Sequence, residues 1–336
     1  MNQELKQRFD AIRPLSGNTP LLEISYSFRG KARRLFAKAE YFNLTGSIKD
    51  RVALYILEKA YETGAISPGD TIAEATSGNT GISFSALGRY LGHPVKIYMP
   101  DWMSRERITL MESFGATVRL VSHEEGGFLG SISMTEEFAK QGGVFLPCQF
   151  SNEDNVEAHV ITTGEEIVSQ LASRGLKADG VVAGVGTGGT IMGIAKRLRQ
   201  ENPACRAFPL EPSNSPTLST GYKVGQHRIY GISDEFIPDI LKLSQMNEIV
   251  SVDDGDAICM ARLLSETLGI GVGVSSGANF LGCVLAQEIL GNDAVIVTVF
   301  ADDNKKYLST DYAKPQGCGE NALTADIQLS GVSVIR

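Results

Sequence analysis

The sequence predicts an α/β protein of about two domains, each a mostly parallel twisted sheet covered by helices. Three observations carry this. The chain has 336 residues, which at roughly 100–200 residues per domain is about two domains. Short apolar runs alternate with segments of helical period along most of its length, the arrangement that places helices on both faces of a parallel sheet. Turns rich in Gly, Ser and Thr stand where strands hand over to helices.

The elements follow in order. RRLFAKAE (33–40) reads as a strand. Residues 47–63 read as a helix with Ala53, Leu54, Ile56, Leu57, Ala60 and Tyr61 on one stripe. TIAEAT (71–76) is a short apolar strand that runs past Asn79 into the helix-like GISFSALGRYLG. VKIYMP (95–100) is a strand closed by proline, 104–114 a helix, TVRLVS (117–122) a strand, and 136–140 part of a further helix. VFLPCQF (144–150) is a strand with its exit loop. In the second half, 156–171 is helical, DGVVAGVG (179–186) is a buried strand entering a glycine-rich turn, and 190–199 is a helix. RAFPLEP and NEIVSVDD (247–254) are strands, 256–268 and 277–289 helices, and AVIVTVF (294–300) a continuous apolar strand. FSNEDN, near 150–155, is the expected domain break, and 315–336 reads as a polar, aperiodic appended tail.

Composition narrows the function classes. Lys and Arg total 31 against 39 Asp and Glu, a net charge of −8, and no basic block exists. A nucleic acid or an anionic membrane is therefore not an expected partner. No run of about 18 apolar residues is present, so no bilayer span is expected. The opening MNQELKQRFDAIRP has no apolar core, so no secretory signal is expected either. The cysteines, at 148, 205, 259, 283 and 318, are scattered and never form a CxxC pair. That argues for a reducing, cytoplasmic setting and against a disulfide framework or a zinc site. The histidines, at 93, 123, 159 and 227, make no HExxH pattern, and no metal is expected.

Five segments carry the chemistry. GVGTGGT (184–190) lies between a buried strand and a helix, where backbone N–H groups and a helix N-terminus cradle a phosphate. Its glycines also satisfy GxGxxG, and Glu211 follows where a dinucleotide fold holds its ribose acid; a plain tight turn is the third reading. In NLTGSIKDR (43–51), Lys49 stands near a helix start, whose positive dipole end favours the neutral amine that a Schiff base needs. The alternative is a solvated helix lysine. ATSGNTG (75–81) offers short donors at another helix start, suited to a carboxylate, with an ordinary cap by Ser77 or Asn79 as the alternative. GVSSGAN (273–279) opens a helix with Ser275 and Ser276, again possible caps, and GISDEFIP (231–238) is a loop with paired acids.

Together these segments resemble the cysteine synthase and cystathionine β-synthase family of fold-type-II pyridoxal-phosphate enzymes. TGSIKDR resembles its lysine motif, EATSGNTG its substrate-carboxylate loop, GTGGT its phosphate loop and GVSSGA its pyridine-nitrogen motif. MPDWMSRER (99–107), QF (149–150) and EAHVITTGEEI (157–167) match in the same order. The resemblance implies the tryptophan synthase β-like architecture. A smaller mobile domain (40–150) would carry the substrate loop, and 13–39 plus 151–314 would form the larger cofactor-binding domain. It further implies that Lys49 holds pyridoxal phosphate as an internal aldimine and that Asn79 bonds its ring hydroxyl oxygen. Gly186, Thr187, Gly188, Gly189 and Thr190 would take the phosphate, and Ser275 the pyridine nitrogen. Thr76, Ser77, Gly78, Thr80 and Gln149 would take the substrate carboxylate. A homodimer is expected on the same ground.

The implied reaction is β-elimination or β-replacement on a serine- or cysteine-type amino acid through an aminoacrylate, with sulfide, a thiol or water as nucleophile. Two stretches depart from the family. Asp234 and Glu235 replace the small residues of the usual GIGAGFIP loop, so Asp234 is a candidate general base for water or a thiol. FADDNKKYLST (300–310) also differs. The expectation is a transferase or lyase, either cysteine synthase-like or sulfide-releasing, with a cysteine lyase or a cystathionine- or lanthionine-forming synthase as the variant. An NAD-dependent oxidoreductase and a non-catalytic sensor are the readings from other classes.

Overall fold

The computed structural model describes residues 1–233, 235–314, 318–319 and 322–336. Among the described residues eleven strands form two sheets. They are β1 (Leu21–Phe28), β2 (Lys31–Ala39), β3 (Thr71–Ala75), β4 (Val95–Pro100), β5 (Thr117–Val121) and β6 (Val144–Phe145). The second half adds β7 (Gly180–Gly184), β8 (Arg206–Pro212), β9 (Val250–Val252), β10 (Ile296–Phe300) and β11 (Ile327–Ile335). The four-stranded sheet, ordered β5-β4-β3-β6, is parallel throughout. The seven-stranded sheet is ordered β11-β1-β2-β10-β7-β8-β9. Its β2–β10, β10–β7, β7–β8 and β8–β9 pairings are parallel, whereas β1 pairs antiparallel with β2 and with β11.

Alternation of side chains across the sheet explains the continuous apolar runs of the central strands. Val182 of β7 joins the core on one face, and Val181 and Ala183 join the core on the other. In β10, Ile296 and Phe300 take the first face and Val297 and Val299 the second. The smaller sheet packs against the Lys49–Thr63 helix, whose Val52, Ala53, Ile56, Leu57 and Ala60 are buried in a third core. That helix ends at Gly64 in the left-handed conformation (φ 77°). Its Arg51 is buried and pairs with Glu40 at 2.7 Å and Glu166 at 2.6 Å, which fixes the helix against β2 and the 165–172 helix. Among the described residues no helix is long and apolar enough to cross a membrane.

Two strands escape the sequence pattern. β1 lies where the sequence pattern predicts no strand, and the 315–336 stretch, expected to be an aperiodic tail, contains β11, which completes the edge of the larger sheet. The physical reason is exposure. Along β11 only Ile327 and Ile335 are buried, so no apolar alternation marks it. A register shift at Ser25/Tyr26 further breaks the two-residue period. The helix expected over 156–171 runs as Asp154–Ala158 and Glu165–Ala172 with a π-helical segment, His159–Gly164, between them. Such segments cluster at functional sites.

Candidate active site

A cavity opens at the carboxyl ends of β3 and β7, where the loops leaving parallel strands leave a crevice. On one wall, β7 delivers the chain into Val185–Gly188 and the Gly189–Glu201 helix. Gly188 adopts φ 88° and is the N-cap, with no side chain of its own to cap the helix, and Gly189 N donates to Thr187 Oγ1 at 3.4 Å. A Cβ on Gly186 would lie 2.3 Å from Gly231 O, and one on Gly188 2.9 Å from Leu241 Cβ. The glycines are therefore required by packing, and they leave N–H groups at a positive helix end, which suits a phosphate. Gly186, Thr187, Gly188 and Thr190 line the cavity, whereas Gly189 packs its α-carbon against Asn155.

The opposite wall is built by β3 and the Asn79–Leu91 helix. Gly78, not Ser77 or Asn79, is the N-cap, and no side chain caps this helix, so the ordinary-cap alternative fails here. It also fails for Ser275 and Ser276, since Gly273 is the N-cap of Val274–Leu290. Thr76 Oγ1 accepts from Gly78 N at 3.0 Å, which folds the loop back on itself. Thr80 Oγ1 donates to Gln149 Oε1 at 2.6 Å, and Gln149 Nε2 donates to Ala75 O at 2.9 Å. Gln149 thus has both ends of its amide engaged in holding the loop. Thr76, Ser77, Gly78, Asn79, Thr80 and Gln149 all line the cavity.

Lys49, the first residue of its helix, closes the third side. Its Nζ lies 3.4 Å from Thr187 Oγ1 and so reaches the glycine-rich loop. Asn155 Nδ2 ties the two walls together, donating to Gln149 O at 2.8 Å and Thr187 Oγ1 at 2.9 Å. His159 is fully buried; burial, helped by the nearby Lys49 and Arg51 charges, pushes its pKa down to about 3. The neutral ring bridges Thr163 Oγ1 at 2.9 Å and Thr190 Oγ1 at 3.3 Å. Ser275 lines the cavity from the start of the Val274–Leu290 helix. Asp234 lies outside the described residues.

The donor set fits pyridoxal phosphate. It combines an amine, a helix N-terminus with threonine hydroxyls for a phosphate, and apolar floor residues Ile48, Val299 and Ala301. In addition, Asn79 Oδ1 is buried without a partner beside the cavity. A dinucleotide does not fit. Glu211, its expected ribose acid, is fully buried and accepts from Leu218 N at 2.8 Å, Ser219 N at 3.2 Å and Ser251 Oγ at 3.2 Å. Its carboxylate is spent on the Thr217–Thr220 turn.

Residues 12–302 match the model of the pyridoxal-phosphate dependent enzymes. The chain belongs to that family. The Staphylococcus aureus cysteine synthase is 38 % identical over 301 residues, 90 % of this chain and 96 % of the relative. A probable cysteine synthase of Bacillus subtilis is 39 % identical over 298 residues, 88 % of this chain and 95 % of the relative. Among solved structures, a hydrogen sulfide-producing enzyme of Fusobacterium nucleatum superposes with a TM-score of 0.96 at 57 % identity, covering 98 % of this chain and 99 % of that one. A second structure of a hydrogen sulfide-producing enzyme, an Asp→Asn variant with the α-aminoacrylate intermediate, gives a TM-score of 0.95 at 57 % identity, covering 97 % and 99 %. This pyridoxal-phosphate enzyme therefore catalyses cysteine synthase-like β-replacement and β-elimination on an amino acid.

The sequence motifs did not single out four residues that shape the site: Asn155, Arg107, Tyr230 and Asp302. Arg107 is buried, and its Cδ and Nε would stand 2.5 Å from a Cβ on Gly78. Its guanidinium stacks on Tyr230 at 5.1 Å and Tyr307 at 4.7 Å. Arg107 was visible inside MPDWMSRER, but nothing local to that segment points to Gly78.

Proposed function

We propose that this enzyme releases sulfide from cysteine and replaces it at the β-carbon with water or a second thiol. With water the balance is cysteine plus water to serine plus hydrogen sulfide: the C–S bond breaks and a C–O bond forms. The observation that carries the reading is the 57 % identity over nearly the whole chain to a hydrogen sulfide-producing enzyme. The fifth loop supports it. Ser233 and Glu235, the sequence neighbours of Asp234, line a second cavity that shares Ser77, Tyr230, Gly231 and Ile232 with the first. A nucleophile entering there passes this loop.

Bound pyridoxal phosphate supplies an electron sink for charge at the substrate Cα. The protein's own groups do the rest. Gly186, Thr187, Gly188, Gly189 and Thr190 would hold the phosphate through backbone N–H groups and hydroxyls. Thr76, Ser77, Gly78 and Thr80 receive the substrate carboxylate, with Gln149 bracing them. Lys49 would be the attachment point and, when its amine is free, would take the Cα proton on Nζ and later return it. Ser275 offers a neutral hydroxyl to the pyridine nitrogen, which does not force it to protonate and so favours prompt loss of a β-substituent. Asp234 accepts the proton of the incoming water or thiol.

The test is a donor panel. The holoenzyme is mixed with cysteine, serine, phosphoserine or acetylserine, sulfide is measured, and products are identified by mass spectrometry. Sulfide and serine from cysteine are expected. If acetylserine plus sulfide gives cysteine at a far higher kcat/KM than cysteine gives sulfide, the biosynthetic reaction takes over. Borohydride reduction and peptide mapping are expected to place the cofactor on Lys49; a label on another lysine refutes that assignment.

A further inference from the structure

Nothing in the preceding scheme uses Asp302, which lies two residues beyond the end of β10. The residue is fully buried. Its main chain bridges to Ser47, and Ile48 N donates to Ala301 O at 2.9 Å, so Asp302 sits directly behind the segment that delivers Lys49. Its Oδ2 accepts from Asn79 Nδ2 at 2.7 Å and from the Tyr307 hydroxyl at 2.7 Å. Asn79 lines the catalytic cavity, whereas Asp302 does not.

A carboxylate has no hydrogen to donate, so its contact decides which end of the Asn79 carboxamide faces it. The NH2 end is held, and Oδ1 is left buried without a partner. Two donors converge on one Asp302 oxygen, and burial keeps the Tyr307 phenol neutral and able to donate. Other charges stand around this carboxylate. Lys306 follows it on the same segment, with Nζ bonded to Gly46 O at 2.9 Å; Arg107 stacks on Tyr307 at 4.7 Å; Asp50 and Asp303 lie near Lys306. Lys306 lies close enough to feel the Asp302 carboxylate, although among the described residues neither Lys306 nor Arg107 forms an ion pair with it.

We infer that Asp302 is a positioning residue: it fixes the Asn79 carboxamide against the cofactor ring and, through that bond, favours the protonated form of the Lys49-linked cofactor. This rests on the reading that Lys49 and Asn79 face the cofactor. A negative charge raises the pKa of a neighbouring protonated group, by about one pH unit at the low end for a nearby charge. Removing it lowers that pKa.

The experiment is a pH titration of the visible absorbance of holoenzyme, comparing the parent with Asp302→Asn and Tyr307→Phe. The two variants act in opposite directions. Asp302→Asn removes the charge while keeping an oxygen for Asn79, and its midpoint is expected about one pH unit below that of the parent. Tyr307→Phe removes one donor from the carboxylate, strengthens its field and moves the midpoint up. Midpoints equal to that of the parent, or both variants moving the same way, overturn the inference. If Asp302→Asn does not fold, an upward shift in Tyr307→Phe supports it, and no shift or a downward one overturns it. A borohydride label on a lysine other than Lys49 removes the cofactor assignment itself, which is a separate failure that takes this inference with it.

Discussion

Glu74 lies behind the 76–80 loop and offers a sharp test of how that loop is supported. It is buried near the end of β3, where Oε1 accepts from Ala75 N at 3.0 Å and Oε2 from Gln149 N at 3.3 Å. Burial pushes its pKa from 4.5 up to about 8, against the pull of those N–H groups and of the Lys49 charge. In the unfolded chain the carboxyl loses its proton above about 4.5, whereas in the folded protein it keeps it until about 8. The folded state therefore binds more protons across this window, and its stability falls as pH rises through it. A shift of that size corresponds to at most about 5 kcal/mol at 1.36 kcal/mol per unit, and to about 2–5 kcal/mol once relaxation is allowed for. Glu74→Gln is neutral at every pH. It gives up one acceptor for the two N–H groups, a pH-independent cost of about 1 kcal/mol. Below pH 4.5 the variant is expected to be slightly less stable than the parent, and at pH 9 more stable. Urea unfolding of both holoenzymes from pH 4 to pH 9 measures the difference. Parallel curves over the window would refute the claim that Glu74 is held protonated under the loop.

Three further outcomes follow from the same geometry. Gly189→Ala places a Cβ 2.1 Å from Asn155 Oδ1 and displaces the side chain that ties Gln149 to Thr187. Overpacking of this kind costs about 1–3 kcal/mol, so cofactor affinity, read by visible absorbance titration, is expected to fall about tenfold or more; unchanged affinity counts against the bracing role. Ser77→Ala should raise KM for the amino-acid substrate by roughly one to two orders of magnitude, from loss of a charge-assisted bond worth about 1.5–3 kcal/mol, with the resting cofactor spectrum unaltered. If KM does not move, Ser77 does not hold the carboxylate. Asp234→Asn should still release a burst of sulfide from cysteine while serine formation slows about 10²–10⁴-fold, and parent-like turnover with every nucleophile would show that Asp234 is no base.

The site was legible where its chemistry is local. A strand-to-helix junction that must expose N–H groups admits only small residues, so GVGTGGT and ATSGNTG stand out in the sequence as the turns that line the cavity. The close approaches at Gly186 and Gly188 give the reason. Lys49 was legible as a lysine near the start of an amphipathic helix. The bracing groups were not. Asn155 reads as an ordinary polar residue until the fold sets it between Gln149 and Thr187, and Arg107 reads as a helix arginine until Gly78 packs on its side chain.

The sequence by itself determined the alternation of apolar strands with amphipathic helices, because burial on both faces of a parallel sheet demands that pattern within each element. It also determined the small-residue loops, because backbone exposure at a helix start depends on neighbours a few positions away. Only the tertiary structure decided that β11 returns to pair with β1, since that edge strand buries just Ile327 and Ile335 and is held mainly by backbone hydrogen bonds that no side-chain pattern encodes. Only the tertiary structure brought Asp302 to Asn79 across 223 positions. A hydrogen bond between buried side chains is strong because both have left water, and which two meet depends on how separate elements pack.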